Sequence, residues 1–288
     1  PNFYFTHQEI EAIVTALLGF NEDVIGEKLL AESHIPDRTI YDGNKLIIEN
    51  NCQGCHIIDG IGGHIAENYS SAEFAPPNLN TEGAKVQPSW LFDWVHNPYK
   101  VRPNIQVRMP SFDMSDEEWN AIIKAFQYRD NELISHESDL EYDMESVHYK
   151  AGIKLHDLGA CNNCHFYGTE FPKQGAQTWA PNLALTKVRL KPEWVVEWLK
   201  DPQNIMPGTK MPAPYLPDSV ILSYPNAEDD WGSYVKGLNG NKELMLEGLR
   251  DYIFSIEGKI DISKEIENYF KKNGYNYEDE DEDEDEDW

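Results

Sequence analysis

The sequence has few basic residues, no long apolar run and only four cysteines. Lys and Arg number 24 against 51 Asp and Glu in 288 residues, which gives a formal net charge of −27. Such a chain has nothing to neutralise a row of phosphates, which argues strongly against nucleic acid as a partner. No apolar run approaches the ~20 residues that cross a bilayer, so we expect the chain to be soluble.

The first residues also lack a basic start followed by an apolar stretch, so we expect any export signal to have been removed or to lie upstream. Hydrophobic residues make up 40% and aromatic residues 12% of the chain, enough to form a buried core. Its length suits two domains of ordinary size. Ten consecutive acidic residues occupy 278–287, and without them the net charge is still −17. We expect residues 259–288 to form a solvated acidic tail, either solubilising or partner-docking.

All four cysteines fall in two matching pentapeptides, Cys52-Gln53-Gly54-Cys55-His56 and Cys161-Asn162-Asn163-Cys164-His165. C-x-x-C-H is the attachment pattern of haem c, in which the two thiols form thioethers with the vinyl groups and the His ligates iron. One such pentapeptide is weak evidence, but two that use every cysteine are strong evidence. The sequence therefore predicts two covalently bound haem c groups. The residues are Cys52, Cys55 and His56 for the first, and Cys161, Cys164 and His165 for the second.

Three other interpretations of the cysteines fit less well. Two C-x-x-C pairs that share a zinc ion are usually separated by ~15–20 residues, whereas Cys55 and Cys161 are 106 residues apart. A thioredoxin-like pair needs a strand–turn–helix context, which the pattern does not show. A disulfide within C-x-x-C closes almost no loop and adds little stability. Haem c remains the favoured prediction.

The match between the two copies extends well beyond the cysteines. Pro77-Asn78-Leu79 corresponds to Pro181-Asn182-Leu183, and a Trp pair with a spacing of four begins twelve residues after each Asn. Each pair lies in a predicted short helix that opens with Pro, a favoured first-turn residue, and ends before another Pro. A spacing of four places both indoles of a pair on one helix face. The residues are Trp90 and Trp94 in the first copy, and Trp194 and Trp198 in the second.

A Met-Pro pair follows each Trp helix. Met109-Pro110 matches Met211-Pro212, and each Met comes directly after a basic residue, Arg108 or Lys210. A thioether opposite the His gives a six-coordinate, low-spin iron with a raised potential, so we predict Met109 and Met211 as iron ligands. Met206 is a rival in the second copy, but it aligns with Arg102 and is expected to pack.

Short helices are also predicted before each cysteine pair, at 43–51 and 152–159, and after each Met. A capping box at Ser115–Glu118 opens the closing helix of the first copy, and that of the second spans about 241–256. Residues 213–240 have no equivalent in the first copy. We interpret this long insertion as a loop that is either a partner surface or functionally neutral.

Together these features resemble the class I cytochrome c fold, present as two tandem domains over about residues 40–256. The resemblance implies a mainly α fold, with one domain at 21–130, a second at 131–258, and crossing first and last helices in each. Within this family the chain is similar to the multi-haem cytochrome subunits of bacterial respiratory complexes. By resemblance, the carbonyls of Pro77 and Pro181 orient the two His rings. The Trp residues and nearby cations meet the haem propionates, and the choice among Trp90, Trp94, Arg102 and Arg108 stays open, as does the role of Lys210.

The first twenty residues repeat the end of the first domain at an offset of 109, which is also the distance from Cys52 to Cys161. Thr6-x-x-Glu9 matches the capping box, and the apolar positions that follow also match. We hypothesise that Pro1–Phe20 is the closing helix of an upstream cytochrome domain. The alternative is an amphipathic helix that packs on the first domain.

A haem with both axial positions filled by protein has no open site for substrate, so the leading prediction is an electron carrier rather than an enzyme. The alternative is a dihaem cytochrome c peroxidase, in which one haem is open to hydrogen peroxide. There an uncommitted histidine could replace a Met, although most of these are expected in surface or loop positions: His64, His96, His148 and His156. The resemblance implies a periplasmic or otherwise extracytoplasmic location, with tethering to a membrane complex left open. The acidic surface predicts redox partners with a basic docking face.

Overall fold

The computed structural model describes residues 38–69, 74–103, 105, 107–131 and 140–273, together with Thr6, Ile10 and residues 12–13. The chain divides into two units, Pro1–Arg38 and Thr39–Trp288. The mainly helical fold is confirmed, and within the described ranges no helix is both long and apolar enough to cross a membrane. Most of the helix predicted over Pro1–Phe20 lies outside the described residues. In its described part, Ile10 N donates to the carbonyl of Thr6 at 3.0 Å.

The first region, residues 38–131, contains five helices and one hairpin within its described ranges. The helices are α1 (Arg38–Glu49), α2 (Cys52–Cys55), α3 (Glu82–Lys85), α4 (Pro88–His96) and α5 (Asp116–Arg129). The hairpin pairs β1 (Ile57–Ile58) with β2 (Ile61–Gly62) in antiparallel register, Ile57 opposite Gly62. A 3-10 turn covers His64–Asn68.

The second region, residues 140–273, repeats this order with additions. Its helices are α6 (Val147–Leu158), α7 (Thr186–Arg189), α8 (Pro192–Lys200), α9 (Pro202–Ile205), α10 (Ser219–Leu222), α11 (Ala227–Gly237), α12 (Lys242–Phe254) and α13 (Ser263–Lys272). Short 3-10 turns cover Cys161–Asn163, Ala176–Thr178 and Leu183–Leu185. Each region has its own apolar core.

The helix ends follow from local sequence. Pro88 and Pro192 occupy the first turns of the two Trp helices, where a missing N–H costs no hydrogen bond. At the start of α5 both capping-box bonds are present, because the Ser115 side chain accepts from Glu118 N and the Glu118 side chain accepts from Ser115 N. Asn241 caps α12 through its side chain.

In each region the first helix crosses a later helix at glycine. A Cβ on Gly43 would overlap the carbonyl of Ala121, so α1 and α5 are in backbone contact there. A Cβ on Gly152 would likewise overlap the carbonyl of Gly248, where α6 meets α12. A Cβ on Gly248 would in turn overlap the carbonyl of His148, so the second crossing needs glycine on both helices.

The inserted residues 213–240 are not the loop that the sequence suggests. They contain α10 and α11, the latter broken at Gly232, where φ is 79°. Leu222, Ala227 and Val235 are buried, and Leu222 and Val235 belong to the core of the second region. Several aromatic and Pro-flanked positions mask this amphipathic pattern in the sequence. The segment still exposes large side chains, among them Tyr215, Val220 and Tyr224.

The segment predicted as an acidic tail, 259–288, also begins as folded structure. Ile262 and Ile266 of its first part are buried against Phe166 and Trp179. The side chain of Asn182 donates to the carbonyl of Lys259 at 2.9 Å. The apolar spacing of four in α13 explains this packing. The ten consecutive acidic residues lie outside the described residues.

Candidate haem sites

Both cysteine pairs are held in the same local backbone geometry. A left-handed residue precedes each pair, Asn51 with φ 51° and Ala160 with φ 50°. The chain then makes one tight turn, in which His56 N donates to Cys52 O at 2.9 Å and His165 N to Cys161 O at 3.0 Å. Asn adopts this conformation readily, whereas Ala adopts it at a cost. The turn therefore places two thiols and an imidazole together in each region.

Each histidine ring is oriented by a proline carbonyl. Nδ1 of His56 lies 2.8 Å from the Pro77 oxygen, and Nδ1 of His165 lies 2.7 Å from the Pro181 oxygen. A carbonyl only accepts, so the proton is on Nδ1 and Nε2 carries the lone pair that binds metals. Burial lowers the pKa of both rings, against the opposing effect of these hydrogen bonds. The neutral, ligating form is therefore favoured at neutral pH.

The cysteines are thiols rather than disulfides. Burial raises the pKa of Cys52, and it raises the pKa of Cys161 to about 11. Within the described ranges, no three or more His, Cys, Asp or Glu side chains form a cluster suited to a metal ion. The two cysteine pairs therefore do not form one zinc-type centre.

The two predicted methionines pack on the apolar cores of their regions. Met109 is half-buried and packs on the same core as Cys52, Trp90 and Trp94. Met211 is half-buried on the second core, together with Trp194. In addition, Trp198 Nε1 donates to Met211 Sδ at 2.9 Å. The rival, Met206, bonds through its backbone N–H to the carbonyl of Pro202.

The two tryptophan pairs stack, as a spacing of four predicts. The ring centroids are 5.9 Å apart for Trp90 and Trp94, and 5.1 Å apart for Trp194 and Trp198. Both indoles of the first pair donate to Tyr99, Trp90 to its hydroxyl and Trp94 to its carbonyl. The buried Nε1 of Trp194 has no hydrogen-bond partner among the described residues.

The cations that the sequence suggests for the haem sites differ in their surroundings. Arg108 and Lys210 are exposed. Arg102 Nη2 donates to the carbonyl of Ala75 at 2.5 Å, and its charge contributes to lowering the pKa of His56.

A buried charged group next to the Trp helices was missed by the sequence reasoning. Lys85, Lys191 and Glu82 are each less than a tenth exposed, and the buried Nε of Arg189 has no partner among the described residues. The available signal was a basic residue five positions before the first Trp of each pair, Lys85 and Arg189.

One histidine also departs from expectation. His156 is buried on α6, with its ring against Tyr167 and Tyr252 and its Nε2 hydrogen-bonded to the Tyr167 hydroxyl. Burial lowers its pKa to about 4. It is a core residue rather than a surface or loop residue, because aromatic neighbours enclose it. His64 is largely exposed, and His96 and His148 pair with Asp116 and Asp251.

These donor sets fit haem c. Each region offers two thiols for thioethers, an imidazole with Nε2 available to iron, and a methionine packed on the same apolar core. The unpartnered Nε1 of Trp194 and Nε of Arg189 are donors suited to carboxylates such as propionates.

The family model for cytochrome c matches residues 40–124. The first region therefore contains a cytochrome c domain, and this family carries haem c covalently and transfers electrons. The second region lies outside the matched residues. Searches of curated proteins and of solved structures found no match.

Proposed function

We propose that this chain is a dihaem c-type cytochrome that carries single electrons between redox partners in an extracytoplasmic respiratory chain. Each region holds one haem c, ligated by His56 and Met109 in the first and by His165 and Met211 in the second. Bound haem supplies a one-electron carrier, and the protein sets its potential through ligands, burial and hydrogen bonds.

The observation that supports a second haem most directly is the His165–Pro181 hydrogen bond. Its length of 2.7 Å is close to the 2.8 Å of His56–Pro77. In both sites a residue with left-handed backbone conformation precedes the cysteines. A C-x-x-C-H pentapeptide that arose by chance would not be followed by the same ring-orienting carbonyl. The second region is therefore proposed to repeat the chemistry of the first.

The residues of the chain have separate tasks in this proposal. Cys52, Cys55, Cys161 and Cys164 attach the haems, and the two proline carbonyls fix the His tautomer. Trp198 donates to the sulfur of Met211, which adjusts how strongly that sulfur can donate to iron. Met109 and Met211 pack on the apolar cores, which limits the access of water to these sulfurs. A protein that fills both axial positions transfers electrons without binding a substrate at iron.

The acidic composition supports partners with basic docking faces, because opposite charge accelerates association and orients the complex. The exposed Tyr215, Val220 and Tyr224 of residues 213–240 offer an additional contact surface. The periplasmic or other extracytoplasmic location is part of the proposal, since covalent haem attachment in bacteria takes place outside the cytoplasmic membrane.

Haem counting tests the proposal. The full chain, produced with a haem c maturation system, is expected to gain the mass of two haems and to show low-spin spectra in both oxidation states. His165→Ala, together with Cys161→Ala and Cys164→Ala, should leave one haem, and the matched set at His56, Cys52 and Cys55 should leave the other. One haem in the unchanged chain would reject the dihaem assignment. A five-coordinate high-spin haem would instead favour the peroxidase.

A further inference from the structure

The two regions meet through a short antiparallel contact. Val86 and Leu190 form an antiparallel bridge, Gln87 N donates to Arg189 O at 2.8 Å, and Lys191 N donates to Lys85 O at 2.9 Å. Residues 85–87 and 189–191 occupy equivalent positions in the repeat, at an offset of 104. The contact is therefore self-complementary, like the isologous interface of a symmetric dimer.

The side chains at this contact also make equivalent interactions in both directions. Gln87 Nε2 donates to Lys187 O at 2.6 Å, and Lys191 Nζ donates to the equivalent carbonyl, Gly83 O, at 2.8 Å. Lys85 Nζ lies 5.9 Å from the ring centroid of Trp194, and Arg189 Cζ lies 5.2 Å from that of Trp90. Each region thus places a cation over the first tryptophan of the other.

The two repeat units do not carry matching charges at this contact. Lys85 forms a buried ion pair with Glu82 of its own region, with Nζ and Oε2 2.9 Å apart. The residue equivalent to Glu82 in the second region is Thr186, so Arg189 has no matching acid in its own repeat unit. Its buried Nε has no hydrogen-bond partner in the described part of the chain. A buried guanidinium nitrogen in this condition needs an acceptor.

The surroundings of Arg189 belong to the first region. Its charge acts on Glu82 and on Tyr99, the residue that accepts from the Trp90 and Trp94 indoles. Burial lowers the pKa of Arg189 itself, against the opposing effect of the Glu82 charge. The group that satisfies this Nε–H must be an acceptor beside the Trp helix of the first region, and a carboxylate suits the guanidinium best.

We infer that Arg189, supplied by the second region, binds a propionate of the haem in the first region, so that the first haem site is complete only when the two regions are in contact. This inference rests on the proposed function. A propionate carboxylate matches the planar fork of a guanidinium, which lysine cannot reproduce. Arg189 therefore binds the haem of the first region, although its position in the second repeat unit would suggest the haem of the second region.

The test measures the reduction potential of each haem in the full chain. The two potentials are assigned with Met211→Ala, which displaces that of the second haem. For Arg189→Gln we expect the potential of the first haem to shift downward, because an uncompensated propionate favours the ferric state, and that of the second haem to shift less. Lys200→Gln, which removes a positive charge from an exposed pair with Glu197, should leave both potentials unchanged.

Arg189→Lys gives a second measurement if the Gln variant does not fold. It keeps the charge but loses the fork, so a smaller downward shift of the same haem is expected. An unchanged first-haem potential in either variant, or a larger shift of the second haem, would overturn the inference. If the chain holds fewer than two haems, the haem count rejects the proposed function and this inference with it. If it holds two haems and the first potential does not move, only this inference fails.

Discussion

Nε1 of Trp198 lies 2.9 Å from Sδ of Met211, so the indole N–H donates to the thioether sulfur. The equivalent indole of the first region, Trp94, donates instead to the carbonyl of Tyr99 at 2.9 Å. The two proposed haem sites therefore share their ligands and differ in the hydrogen bond next to the methionine.

Replacing Trp198 by Phe should lower the potential of the second haem. A hydrogen bond to the sulfur withdraws electron density and disfavours the ferric state, and losing it amounts to about 1 kcal/mol, or roughly 40 mV for one electron. Spectroelectrochemical titration measures this shift. Trp94→Phe is the matched control, since it removes no bond to a methionine. Equal effects of the two variants on their own haems would contradict a role for the sulfur bond.

Met211→Ala should open the second iron, lower its potential and admit cyanide or carbon monoxide. The reason is that the thioether fills one axial position and raises the potential. Absorption spectra with and without the small ligand give the result. Met206→Ala, in the same loop, should leave the spectrum unchanged. If the spectrum and potential of Met211→Ala match those of the unchanged chain, Met211 is not a ligand.

Gly152→Ala should destabilise the second region by about 1–3 kcal/mol, the usual cost of overpacking. The added Cβ would overlap the carbonyl of Gly248, where α6 and α12 cross. Denaturant unfolding of the full chain measures the loss. Gly237→Ala is the control, because its Cβ would meet only Val147 Cγ1 at an ordinary 3.8 Å. A stability loss as large at Gly237 would show that the crossing is not the cause.

Glu82→Gln should destabilise the contact between the regions at neutral pH. It should also reduce the loss of stability that occurs as the pH is lowered. Burial alone would raise the pKa of Glu82, but Lys85 and Arg189 more than offset it, so the pKa lies below its usual value of 4.5. A lowered carboxyl pKa contributes stability at pH values above the unfolded pKa, and that stability is lost as the pH falls through the folded pKa.

The melting temperature measured between pH 3 and pH 7 tests this prediction. Removing one partner of a buried ion pair costs about 3–5 kcal/mol, because the remaining charge is left uncompensated. Glu267→Gln is the control, since it removes a similar pair with Lys271 from an exposed helix surface. If the melting temperature of Glu82→Gln depends on pH in the same way as that of the unchanged chain, Glu82 is not the source of this pH dependence.

Electron exchange with a basic redox protein should slow as salt increases, because the net charge of −27 attracts such partners over a distance that ions screen. Stopped-flow rates at several ionic strengths measure this dependence. If the ten acidic residues take part in docking, deleting residues 278–287 should make the rate depend less steeply on ionic strength. An acidic redox protein serves as the control and should show the opposite trend. A salt-insensitive rate with the basic partner would reject electrostatic docking.

Much of each candidate site could be predicted from the sequence because its parts are local. The two C-x-x-C-H pentapeptides, the Pro-initiated Trp helices and the capping box at Ser115 all follow from residue types at short spacings, whereas the proline carbonyl that accepts from each His was implied by the family resemblance. In these cases the conformation depends on neighbours within a few turns. The helix crossings were implied only by resemblance to a fold, and the sequence did not indicate that Gly43 and Gly152 lie at them.

The tertiary structure decided which charges are buried and which region each one serves. Arg108 is exposed, whereas Arg189 has a buried Nε and its guanidinium carbon lies over Trp90 of the other region. It also showed that helices within residues 213–240 pack on the core of the second region, whereas residues 263–272 form a helix that packs on Phe166 and Trp179. Burial depends on which distant surfaces meet, and this depends on the sum of many weak contacts that no short stretch of sequence contains.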